Sequence, residues 1–153
     1  MPSTPTIYDR LRESHERQRA VFRKLLRSKP GADRQTLFTA LRIELAAHAA
    51  AEERYLYAVI LMQDAGLKSS RHALSEHHDI DEMIEDMQTR EKGGSEWMEK
   101  ASALSHKVHH HLREEEKKFF QVSGKLLSET AKVRLGRQYE KDYRRMLGVL
   151  TRG

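Results

Sequence analysis

The 153-residue chain contains no cysteine. Disulfides, thiolate ligands and cysteine-bound iron–sulfur clusters are thereby excluded, and any metal site must be built from histidine and carboxylate. Only three prolines and eight glycines occur, a scarcity of helix breakers that favours long helices over strands and turns. No stretch is apolar over the roughly 18 residues a membrane span needs. The opening MPSTPTIYDRLRESH has no apolar segment of signal-peptide length. A cytoplasmic protein with no membrane partner is expected.

Charge is plentiful. Charged residues make up 33% and hydrophobic residues 38%, with a formal net charge of +5, and this balance suits amphipathic helices. The excess of basic residues brings a nucleic-acid or anionic partner into view. Basic and acidic residues are nevertheless interleaved along the chain, as on a solvated helix face, which disfavours nucleic acid.

The fold class expected is all-α: an up-down-up-down four-helix bundle over about residues 5–127 and a short fifth C-terminal helix over about 128–150, in a single domain spanning 1–153. The first helix starts at Thr4 or Thr6 with Pro5 in its first turn and runs to Ser28. The break SKPGAD follows, and Asp33 caps a second helix that reaches Asp64. AGLKSS reads as the next turn, with Gly66 after the helix end and Ser69 or Ser70 capping the third helix, which runs to Arg90. After Gly93 and Gly94, Ser95 caps a fourth helix to Leu127. Ser128 caps a basic fifth that ends near Leu147.

Two stretches carry the same pattern. In VHHHLREEEKKFF, His111 and Glu115 share a stripe with Val108, Leu112 and Phe119; in LAAHAAAEERYL, His48 and Glu52 share one with Leu45 and Leu56. Residues four apart on an α-helix project at nearly the same angle, so each pair can reach one ion. His15 follows Leu11 on the apolar side of the first helix, and His77 lies on that of the third. Antiparallel neighbours place residues equidistant from a turn at one depth. The midpoints of successive pairs fall at the three expected breaks, so all four helices deliver a ligand-type residue to one level. A lone histidine on an apolar stripe is usually a satisfied core residue. Six buried polar side chains without partners would each cost roughly 1–3 kcal/mol, more than a marginally stable domain can carry, and metal supplies the partner. Imidazole and carboxylate without sulfur suit a borderline-to-hard ion, and four histidines with two glutamates favour two ions over one tetrahedral zinc. Iron fits best, with manganese or a mixed pair as alternatives.

The ordered set His, His-x-x-x-Glu, His, His-x-x-x-Glu resembles the hemerythrin-like (hemerythrin HHE cation-binding) domain family. It is carried by LRESH ending at His15, HAAAEERYLY from His48, ALSEHHDI around His77 and HLREEEKKFF from His111. The resemblance implies a non-haem di-iron centre with His15, His48, Glu52, His77, His111 and Glu115 as ligands and the glutamates bridging. His110 with Glu114 has the same spacing and is the alternative register. His111 with Glu115 is preferred because the two long motifs then superpose without a gap, which turns His109 and His110 outward; His78 and His106 read as solvated. Oxygen-carrying hemerythrins place a fifth histidine one turn before the third-helix ligand, where this chain has Ala73. His72 is adjacent, yet about a hundred degrees round the helix. A site with fewer protein ligands leaves room for a small molecule and speaks against plain oxygen carriage.

Three functions follow as expectations. The first is binding or sensing of O2, NO or peroxide at a di-iron centre closed in by Leu56, Phe119 and Tyr55. The second is enzymatic: peroxide or NO detoxification, or iron–sulfur repair. The third is a basic interaction module on the last helix. Tyr55 is expected to hydrogen-bond a bridging glutamate or simply to pack in the core, and Met83 and Met87 to fill the core.

Overall fold

The computed structural model describes residues 3–153. Met1 and Pro2, at the head of the expected domain, lie outside the described residues. Thr6 is extended and closes a capping box: the Asp9 N–H donates to Thr6 Oγ1 (3.3 Å), and the Thr6 N–H donates to Asp9 Oδ2 (2.9 Å). These bonds satisfy donors that a helix start leaves free, and α1 runs from there as Ile7–Leu26. Pro5 therefore precedes the cap and is not in the first turn. Gly31, at φ 136°, caps α2 (Ala32–Glu52), a left-handed backbone that glycine adopts without strain. Asp33, the expected cap, sits inside the first turn, where its charge complements the helix dipole.

From α2 the rod continues through a π-helical turn, Glu53–Tyr57, into α3 (Ala58–Leu61). Gln63 is extended (φ −102°, ψ 133°), and α4 (Asp64–Gln88) starts immediately after it. The AGLKSS stretch is thus the opening of α4, correcting the expected turn. Met62 and Gln63 make the reversal, and the buried Gly66 allows the two helices to meet closely at Ile60. Gly94 caps α5 (Ser95–Glu114), so Ser95 is its first residue rather than its cap. A second π-helical turn, Glu115–Phe119, leads into α6 (Phe120–Gly124). The Ser128 hydroxyl accepts from the Ala131 N–H (3.1 Å) and caps α7 (Glu129–Arg152) as expected. This helix passes Leu147 because Leu150 still packs on the core.

The fold is all-helical, with no strand among the described residues. α1, α2–α3, α4 and α5–α6 are the four rods of the bundle, and α7 packs along α1 and α2. That approach is close: a Cβ on Gly136 of α7 would lie 2.8 Å from the Ile7 nitrogen. None of the described helices is long and apolar enough to cross a membrane.

The core comes in two pieces. One holds Leu11, Leu56, Ile60, Phe119, Phe120 and Tyr139. The other holds Phe22, Phe38, Leu41, Ile84, Trp97 and Leu104. Burial of each such side chain contributes roughly 1.5–3 kcal/mol. Two positions depart from a simple apolar stripe: Leu26 is exposed, and Phe38 fills the core beside a half-buried Leu37. On every rod the chain passes from one apolar piece to the other through polar residues. His15 lies between Leu11 and Phe22, His48 and Glu52 between Leu45 and Leu56, His77 between Ala73 and Ile80, and His111 and Glu115 between Val108 and Phe119.

Candidate metal centre

These six polar residues form one buried layer. None is more than 6% exposed. The His15 and His48 rings are 5.2 Å apart and the His77 and His111 rings 4.9 Å apart. Glu52 Oε1 sits 3.2 Å from His48 Nε2 and 3.3 Å from His77 Nε2, so one carboxylate spans two helices. Glu115 does the same across the layer, with Oε1 3.3 Å from His15 Nε2 and Oε2 3.6 Å from His111 Nε2. All six side chains predicted to converge do so. His110 and Glu114 point outward, with the His110 side chain 61% exposed. His78 is exposed beside Glu82 and His106 is exposed as well, whereas His109 is half-buried against Phe22 rather than outward.

Each imidazole is held from behind through Nδ1. Glu116 lies 2.7 Å from His15, Glu53 2.8 Å from His77, Glu76 2.8 Å from His111, and the Tyr139 phenol 2.8 Å from His48. A carboxylate behind Nδ1 fixes the tautomer that leaves Nε2 as a free lone pair. The Nε2 atoms of His15, His48 and His111, both oxygens of Glu52 and Oε1 of Glu115 are buried with no aligned hydrogen-bond partner among the described residues. These donor atoms lie a little over 3 Å apart and face one another across the layer without aligned hydrogen bonds. Within the layer, two groups have ligand atoms all within 4.8 Å of one another: Glu52, His77, His111 and Glu115, and His15, His48 and Glu52. Nitrogen and oxygen donors of this kind fit a borderline or hard metal ion, so the residues present could hold one.

Without an ion the layer is stabilised by protons. Burial alone would push His15 down, but Glu115 and Glu116 outweigh it and raise the imidazole to about 9. His77 is likewise raised to about 10 by Glu52 and Glu53, against the effect of burial. Glu52 is held well below the usual carboxylate range despite its burial, chiefly by His48. Positive imidazolium and negative carboxylate here substitute for the charge that a cation would supply.

Tyr57, not Tyr55, reaches the layer. Its hydroxyl donates to Glu115 Oε2 and lies 3.3 Å from His77 Nε2, while Tyr55 only packs half-buried at the core edge. Burial, with Glu115 and Glu52 nearby, pushes the Tyr57 phenol well above its ordinary range, so it stays a proton donor. The reason is the π-turn: an i→i+5 bond from the Ala58 N–H to the Glu53 carbonyl widens the helix just past Glu52. The inward face therefore falls five residues on instead of three or four. The fourth rod widens at the same level, where the Phe120 N–H bonds the Glu115 carbonyl. Such turns occur mostly as single insertions at functional sites. Glu53, Glu76, Glu116 and Tyr139 are further residues that the sequence does not single out, because spacing within one helix gives no sign that their side chains meet imidazoles on other helices. Met87 is core filler as expected, and Met83 packs half-buried beside it.

A cavity of about 440 Å³ opens beside the layer. The buried Ala73, His111 and Glu115 line it together with the exposed Lys68, His72 and Lys118. Ala73 thus leaves space where a larger side chain would close the approach to His111 and Glu115.

Residues 6–122 match the family model described as Hemerythrin HHE cation binding domain. The structure is similar to that of a Hemerythrin HHE cation binding domain-containing protein from Mycobacterium kansasii, described as an Rv2633c homolog, with a TM-score of 0.86 at 19% identity over 95% of this chain and 89% of that one. No curated protein matches the chain. At that identity the structural likeness speaks to the fold, while the family model covers most of the chain including all six layer residues. The chain belongs to the hemerythrin HHE cation-binding domain family.

Proposed function

We propose that the layer holds two iron ions, with His15, His48, Glu52, His77, His111 and Glu115 as ligands and the two glutamates shared between the ions, and that the loaded centre takes up O2, NO or peroxide. The observation that carries this reading is the set of inward Nε2 and carboxylate atoms, buried and unpartnered, with the imidazoles braced from behind at Nδ1. The four-and-two donor set exceeds what one tetrahedral ion needs. Iron, when bound, supplies the redox chemistry.

The chain's own residues bind, orient and exclude water. Glu116, Glu53 and Glu76 accept the Nδ1–H of His15, His77 and His111 and hold Nε2 inward. Tyr57 keeps a proton on the bond to Glu115 and so fixes the carboxylate that spans two helices. Leu56 and Phe119 seal the layer on the side of the Ile7 and Leu11 core. The cavity beside Ala73 admits a molecule of a few atoms.

That same cavity favours a second reading, turnover of peroxide or NO rather than stoichiometric uptake, because it brings solvent-borne molecules to His111 and Glu115. The basic face of α7 gives less support to an interaction module, since Arg144 pairs with Glu140 and Arg145 with Asp142.

Anaerobic reconstitution with ferrous ion, followed by optical titration with O2, NO, azide and peroxide, tests the proposal. A spectrum that changes on addition and reverts with reductant is expected. A protein that takes up no transition metal, or whose spectrum ignores every ligand, contradicts it. Consumption beyond one equivalent of peroxide or NO per centre assigns the enzymatic reading.

A further inference from the structure

Outside the inner layer, a second set of donors gathers at the mouth of the cavity. His72 Nε2 lies 2.9 Å from Glu114 Oε1 and 3.6 Å from Glu76 Oε1. Its side chain is 57% exposed, that of Glu114 24% and that of Glu76 9%, so the three run from solvent inward. Their ligand atoms all lie within 4.8 Å of one another. The cavity they line is also lined by the buried His111 and Glu115 of the inner layer.

We propose that His72, Glu76 and Glu114 form an outer cation site that takes a divalent transition metal from solvent and passes it into the inner layer; the transfer rests on reading that layer as a metal centre. One imidazole and two carboxylates are the donor types of the inner set, so the same class of ion suits both. Glu76 joins them, since the oxygen facing His72 also lies 2.8 Å from Nδ1 of His111. An ion at the mouth is therefore one side chain away from an inner imidazole. His110, 3.0 Å from the other oxygen of Glu114, adds a second imidazole at the rim.

The outer site is weak by construction. Lys107 lies 3.9 Å from Glu76 Oε2, and Lys68 and Lys118 also stand at the cavity wall. These ammonium groups lower the attraction for a cation, and the exposure of His72 leaves it competing with water. An ion held loosely there can leave inward, towards the unpartnered atoms of the layer. The adjacency also accounts for His72: it cannot ligate in the inner layer, yet it stands at that layer's approach.

Manganese(II) titration of metal-free protein, with unbound ion counted by electron paramagnetic resonance, tests this in the wild type and in a His72→Ala/Glu114→Gln double variant. Circular dichroism verifies that both are folded. Wild type is expected to take two ions tightly and one weakly; the variant keeps the tight pair, loses the weak ion and fills the pair several-fold more slowly. Equal filling rates and no weak ion in either protein overturn the outer site while leaving the inner centre intact. A single weak ion that the double variant abolishes, with no tight pair, keeps the outer site but overturns the transfer and the inner centre. No uptake at all overturns both.

Discussion

The phenol of Tyr139, from the last helix, lies 2.8 Å from Nδ1 of His48 and 2.7 Å from the Ser14 hydroxyl. α7 is outside the four-rod bundle, yet it braces one of the four imidazoles. The other three are braced by carboxylates, which are stronger acceptors than a phenol. Tyr139→Phe removes the acceptor behind His48 and leaves its buried Nδ1 unpaired, while the Ser14 hydroxyl keeps its bond from Arg17. It is expected to lower thermal stability by roughly 1–3 kcal/mol. In the proposed centre it also weakens the affinity for metal, by about 10–100-fold. Calorimetric melting with metal titration measures both, and unchanged metal affinity would mean that Tyr139 is only core packing.

The two adjacent histidine–glutamate pairs of α5 and its π-turn separate cleanly. His111→Ala is expected to abolish binding of at least one tight ion, because it removes an inward Nε2 from the layer. His110→Ala removes a mostly exposed ring and should leave the tight pair in place. Elemental analysis after dialysis distinguishes them, and equal metal loss in both would reverse the register.

The pH dependence has opposite sign with and without metal. His15 and His77 are raised from 6.5 to about 9 and about 10 in the folded chain. Their ion pairs thus stabilise the metal-free fold fully below about pH 6.5, and this contribution is lost as pH rises through 9 to 10. Metal needs the same nitrogens deprotonated, so binding strengthens over that range. Melting temperature should fall with pH in the metal-free protein while the increment added by metal grows. Parallel curves would show that the ions bind elsewhere.

Ala73 sets access. Ala73→Phe fills the inner end of the cavity and is expected to slow azide and NO binding at the loaded centre without changing metal content. Some overpacking cost, about 1–3 kcal/mol, is expected as well. Stopped-flow absorbance checks the rates, and unaltered rates would place the access route on another face.

Helix content and the layer itself were legible because both rest on α-helical periodicity. His15, His48, Glu52, His77, His111 and Glu115 all lie on apolar stripes, and equal depth follows from antiparallel pairing. Reading failed where that periodicity breaks. Two π-turns rotate the chain just beyond Glu52 and Glu115, so the tyrosine that enters is Tyr57 and not Tyr55. AGLKSS looks like a turn by composition, but its glycine serves a close helix contact with Ile60 and its serines continue α4. Tyr139 escapes the sequence because spacing within one helix carries no information about a hydroxyl partner on another.

The most direct measurement is the number of transition-metal ions per chain after anaerobic loading with iron and removal of loosely held ion. The proposed centre predicts about two per chain, falling sharply when Glu52 and Glu115 are both replaced by alanine. A loaded wild type that retains less than a single ion, or a double variant that retains as many as wild type, would contradict it.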